Sequence, residues 1–183
     1  MPRLCDAIKQ DHIRIEQAYR YILTADSATD KLRWRNELAL ELARHCISEE
    51  QVLLPALRDR LFDGPTRCER NCTDRMSLKE KICKLKSIPV DDVNFEPELK
   101  SLWVDLAAHV RETDTQDVAR LEGCLSITES ERLAEEFKST MDFAPTRSNP
   151  SASTGPPSKL ITDFLATKDD SLQQMDPIVG ASH

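Results

Sequence analysis

Apolar residues recur at a 3.6-residue spacing in four long blocks before residue 126, and that period favours helices over strands. In the first block Ile8, His12, Ile15, Tyr19 and Ile22 make one stripe on a helix from about Leu4 to Thr24. Lys9, Gln10, Arg14, Glu16 and Gln17 take its other face. The second block starts after Thr29-Asp30 and runs to about Leu61, with the stripe Trp34, Leu38, Leu42, His45, Glu49, Val52 and Ala56. Pro55 lies inside it, removes one helix hydrogen bond and predicts a kink; Asp63-Gly64-Pro65 marks the end. The third runs from about Glu69 to Ser87 on Arg75, Leu78, Ile82 and Leu85, and 88–97 reads as a loop. The fourth runs from about Glu98 to Leu125, with Leu102, Leu106, His109, Thr113 or Asp114, Val118 and Leu121 inward. A short helix is predicted to follow, over Glu129 to Thr140.

Four amphipathic helices joined by short loops bury their stripes against one another as an all-α, up-down-up-down four-helix bundle. The bundle is expected over 1–138, followed by a Pro/Ser-rich, mostly disordered tail over 139–183. That tail holds Pro145, Pro150, Pro156 and Pro157 and too little apolar surface to offset its ordering entropy. Within it, Ile161 to Leu165 reads as a small docking segment. The four glycines argue against a sheet with tight turns. The net charge of −7 gives no electrostatic reason to expect nucleic acid or an anionic membrane as partner. No apolar run approaches a membrane span, and no h-region follows Met1, so a cytoplasmic location is expected. The six cysteines form no CxxC pair and read as thiols. Cys68 and Cys72 lie four apart, as a metal pair would, but two ordinary thiols near a loop is the favoured reading.

The informative residues are those that interrupt the stripes. His12, His45, Glu49, Arg75 and His109 sit where a plain bundle would place leucine. A carboxylate or guanidinium there costs several kcal/mol unless it is paired or bound to metal. One reading is a metal site: His45 and Glu49, four apart, share a helix face, and His12 and His109 come from neighbouring helices. Nitrogen and carboxylate donors suit iron, zinc or manganese about equally. The other reading is structural: satisfied core histidines and a Glu49–Arg75 pair. Glu112, Asp114 and Asp117 can belong to a solvated acidic face, the preferred reading for Asp117.

These segments resemble the hemerythrin-like HHE cation-binding family. Ala7-Ile8-Lys9-Gln10-Asp11-His12 is similar to its first motif. Glu41 to Glu50, with His45 and Glu49, followed by Leu54-Pro55-Ala56-Leu57, is similar to the second. Leu102-Trp103, His109-Val110-Arg111-Glu112, Asp117-Val118 and Leu121-Glu122 resemble the third, and Phe143 to Ser151 resembles the tails of fungal members. The resemblance implies a non-haem di-iron centre that binds or reacts with oxygen, with His12, His45, Glu49 and His109 as metal ligands and Asp114 matching a further carboxylate that hemerythrins use. The sequence departs from the pattern at two places. Arg75 stands where the family has a third-helix histidine, and arginine cannot ligate. Thr113 stands where it has a glutamate four residues after His109. Asp114, five after His109, lies about 140° away around a regular helix, and reaches the site only if the helix deforms, as in a π-bulge. Glu112 is the fallback.

Histidine occurs only at 12, 45, 109 and 183, too few for a two-iron centre of the family's kind. An incomplete site with one metal ion or none is expected, with Arg75 supplying positive charge to Glu49 and Asp114 at the vacated second position. The leading functional reading is a metal-binding module for oxygen or iron handling. An enzyme of a fungal small-molecule (secondary-metabolite) pathway, using the bundle core as its active site, is the alternative. A metal-free scaffold is the third.

Overall fold

The computed structural model describes residues 1–142 and, among them, contains helices and no strands. The predicted tail, with its Ile161–Leu165 segment, falls almost wholly outside the described residues. Helix α1 (Leu4–Leu23) carries the first stripe, and Leu4, Ile8, His12, Ile15 and Ile22 are buried as the period requires. Ser27 caps helix α2 (Ala28–Ser48): its hydroxyl accepts from the Asp30 N–H at 3.0 Å. The rod then passes through a π-helical turn, Glu49–Leu53, into α3 (Leu54–Arg60). Pro55 explains that turn. It has no N–H to give the preceding turn, and its ring crowds the carbonyl four residues back, so the ladder widens just before it.

Helix α4 (Gly64–Ser87) starts earlier than predicted. Gly64-Pro65 opens this helix rather than only closing the one before it, because proline is at home in a first helical turn. Gly64 sits where chain crosses chain: an added Cβ would stand 2.3 Å from the Leu57 carbonyl oxygen and 2.7 Å from the Arg58 Cα. Gly64→Ala should therefore destabilise the fold by about 1–3 kcal/mol, the usual range for overpacking, read as a lower denaturant midpoint. An unchanged midpoint would mean the α3–α4 corner opens without cost.

Helix α5 (Phe95–Glu112) passes through a second π-helical segment, Thr113–Val118, into the short α6 (Ala119–Glu122). The rods α1, α2–α3, α4 and α5–α6 make the up-down-up-down bundle. The last described helix, α7 (Ile127–Asp142), is longer than predicted and runs past residue 138. Leu133, Ala134, Phe137 and Met141 bury its inner face against α1, α2 and the first π-turn. Its cover explains why every residue from Glu41 to Glu49 is buried, where a four-rod bundle would bury one stripe.

The apolar core is in two parts. One, around Leu4, Ile8, Leu53, Leu57, Leu121 and Phe137, fills the end where α7 docks. The other, around Ile15, Leu38, Leu42, Ile82, Leu102 and Leu106, fills the opposite end. His12, His45, Glu49 and His109 are buried in the polar layer between them.

Candidate metal centre

His12 follows Ile8 by one turn on the inner face of α1, and His45 precedes Glu49 by one turn on α2. The three side chains converge: one donor atom from each lies within 4.8 Å of the other two, the one such cluster of His, Cys, Asp or Glu among the described residues. The His12 and His45 rings meet edge to face with centroids 4.8 Å apart. His12 Nε2, His45 Nε2 and Glu49 Oε1 are all buried and have no hydrogen-bond partner. His45 Nε2 and Glu49 Oε1 are 3.4 Å apart without being hydrogen bonded.

The opposite ring nitrogens are each held by a carboxylate. His45 Nδ1 is 2.7 Å from Asp11 Oδ2, and His12 Nδ1 is 3.1 Å from Asp114 Oδ1. A carboxylate on one ring nitrogen fixes the tautomer and leaves the other nitrogen's lone pair available, the arrangement that surrounds metal-bound histidines. Asp11 is fully buried, and the sequence reading passed over it. Its adjacency to His12 was visible, but its partner is His45, thirty-four residues on.

His109, from α5, stands at the edge of the cluster. Its Nε2 is 3.1 Å from Glu49 Oε2, and its Nδ1 is 3.9 Å from Asp74 Oδ2. Asp114 reaches the cluster through the second π-segment, as the required deformation anticipated, and there it meets the Nδ1 side of His12. Thr113, the more deeply buried of the two, leaves its hydroxyl oxygen without a partner beside His109. Asn71 Oδ1 on α4 is likewise unpartnered there, at a cavity of about 10 Å³, close to the space one water needs.

Two expectations are corrected. Arg75 does not pair with Glu49 and Asp114. Its Nη1 donates to the Cys46 carbonyl at 3.0 Å and to Glu50 Oε2 at 2.9 Å, and its Nη2 to Cys72 Sγ at 3.2 Å. The guanidinium thus runs along α2 toward the surface rather than into the cluster. Asp117 is not on a solvated face: it is buried and accepts from Arg67 Nη1 at 2.5 Å. Glu112, the fallback ligand, turns outward to Arg70 at 2.8 Å. Cys68 and Cys72 make no paired site, since Cys68 Sγ donates to the Leu54 carbonyl and Cys72 meets Arg75.

The electrostatics follow from these contacts. Burial alone would raise the Glu49 carboxyl, but the imidazoles of His45 and His109 outweigh it and hold the group at about 2. Burial alone would lower His109, but Glu49 and then Asp74 push it up to about 10. His45 is raised against its burial by Glu49 and Asp11. His12 is lowered, burial exceeding the pull of Asp114. Two imidazole nitrogens and a carboxylate oxygen, converging and unpartnered in a buried layer, suit a divalent cation. No helix of the described residues is long and apolar enough to cross a membrane.

The hemerythrin HHE cation-binding domain pattern matches residues 3–121. A hemerythrin-like protein of Schizosaccharomyces pombe (strain 972) is 34% identical over 176 residues, which cover 96% of this chain and 87% of that protein. A DNA nickase of Nostoc sp. (strain PCC 7120) is 23% identical over 133 residues, 73% of this chain but 37% of the nickase. No solved structure matches with comparable significance. A pattern that spans the whole four-rod bundle, and a fungal relative aligned over nearly the full length, establish that this chain belongs to the hemerythrin HHE cation-binding domain family.

Proposed function

We propose that the bundle binds one divalent iron ion through His12 Nε2, His45 Nε2 and Glu49 Oε1, and serves oxygen or iron handling. The observation that carries this reading is the convergence of three buried donor atoms that have no other partner. The choice of iron comes from the family. Iron bound there would supply Lewis-acid and one-electron redox chemistry. The chain's own residues do the rest. Asp11 and Asp114 orient the two imidazoles, His109 holds the second oxygen of Glu49, and the two apolar core clusters close the layer on both sides. A second ion has few donors on the α4 side, where Asn71 Oδ1 is unpartnered and Arg75 is engaged with the Cys46 carbonyl and Glu50.

Anaerobic loading with ferrous iron, followed by metal analysis, should find about one ion per chain for a single three-donor site. Binding should also release protons. His45 is raised above its ordinary 6.5, so at pH 6.5 and below an incoming ion must displace its proton, while His12, lowered, takes up a proton only at more acidic pH. Affinity should fall about tenfold per pH unit on acidification if His45 alone gives up a proton. A twofold steeper dependence would mean that a second imidazole, His12 or His109, also gives up a proton. Two ions per chain, or none, would overturn the single-site reading.

A second reading is an enzyme acting on a small molecule. A cavity of about 380 Å³ between α1 and α5, lined by Ile13, Trp103, Ala107 and Val110, reaches His12 and Asp114 and favours it.

A further inference from the structure

Residues of α1, α2 and α7 line a second pocket, of about 220 Å³. Gln10, Arg14, Glu41, Arg44, Lys138 and Met141 line it. The volume is several times the roughly 30 Å³ share of one water. Three cations meet there, one from each helix. Arg44 is 8% exposed and its Nη1 donates to Glu41 Oε1 at 2.7 Å, yet its Nε and Nη2 are buried without any partner. Arg14 Nη2 donates to Asp11 Oδ1 at 3.1 Å, and its Nε lies 3.9 Å from Glu41 Oε2. Lys138 forms no ion pair with a described residue. The carboxylates that these guanidiniums contact are Asp11 and Glu41, and Asp11 gives its second oxygen to His45. A buried guanidinium with two idle nitrogens is costly unless an acceptor arrives. Planar guanidinium forks match the paired oxygens of a carboxylate or phosphate.

We propose that this pocket binds a small organic oxyanion, a carboxylate or a phosphate group, between Arg14, Arg44 and Lys138. Its occupancy is felt at His45 through Arg14 and Asp11. An anion beside Arg14 draws the guanidinium off Asp11, and the carboxylate then holds the His45 Nδ1–H more strongly, making Nε2 a better metal donor. By linkage, metal and anion each raise the other's affinity by the same factor. The coupling rests on the metal reading above; the anion site does not.

The full metal-free chain is titrated calorimetrically with inorganic phosphate and with succinate, at ionic strength held constant with chloride. Saturable binding in the micromolar to low millimolar range is expected, weakened at least about tenfold in Lys138→Glu and unchanged in the exposed control Lys100→Glu. Whichever of the two probes binds more tightly identifies the head group. Failure of both to saturate, or binding indifferent to Lys138→Glu, overturns the site. The titration is then repeated on metal-loaded chain, where affinity for the tighter anion should rise about two- to tenfold. Equal affinity with and without bound metal removes the coupling and leaves the anion site. A chain that binds anion but no metal refutes the metal reading alone.

Discussion

His45→Ala will lower iron affinity more than about a hundredfold, beyond the ten- to hundredfold loss typical of a supporting residue around a metal. The side chain is central in three ways. It offers an unpartnered buried nitrogen, it shares a helix face with Glu49, and its other nitrogen is held by Asp11 at 2.7 Å. Asp11→Asn is the matched comparison. It keeps the shape and a hydrogen-bonding group at Nδ1 but removes the charge, so it should fall within the ten- to hundredfold range. Competition against a chelator of known affinity, with circular dichroism to verify the fold, reads both. Parental affinity in His45→Ala would show that this histidine is structural and that its ring packs without donating.

The same comparison shows what the sequence could and could not reveal. His45 and Glu49 are legible together because a four-residue step repeats a helix face. His12 and His109 are legible because they interrupt apolar stripes. Asp11 was not, because nothing local ties it to a histidine thirty-four residues away. Asp114 was legible only as a conditional: on a regular helix it faces away from His109, and the π-segment Thr113–Val118 redirects it to His12. Arg75 is legible as a buried residue but not in its partners. Its guanidinium can reach either the cluster or the α2 backbone, and only the packing of α4 on α2 decides that it takes the Cys46 carbonyl and Glu50. Asp117 looked like surface because its neighbours are polar, while its counter-ion Arg67 lies on another helix.

Phe137→Ala will cost about 3–5 kcal/mol of stability, the usual range for truncating a fully buried aromatic. The melting temperature should drop on the order of 10 °C for a chain of this size. The sequence predicts a short helix over Glu129 to Thr140, yet four stripes already close a bundle and nothing in the sequence requires a fifth helix in the core. The structure makes it one. Phe137 is 0% exposed, joins Leu4, Ile8 and Leu53 in one cluster, and sets its ring edge to face with His45 at 6.5 Å between centroids. Truncation opens space beside a polar layer, and a cavity with polar walls admits water. Water there would hydrogen bond to His45 and Glu49 and compete with a metal ion for both. Iron affinity should therefore fall along with stability, although Phe137 touches no metal. Phe137→Leu, which refills most of the volume, should recover most of both. Recovery of stability without recovery of metal affinity would show that the ring positions His45 by its shape, beyond filling space. A melting temperature within about 2 °C of the parent in Phe137→Ala would instead return α7 to the status of an appendage.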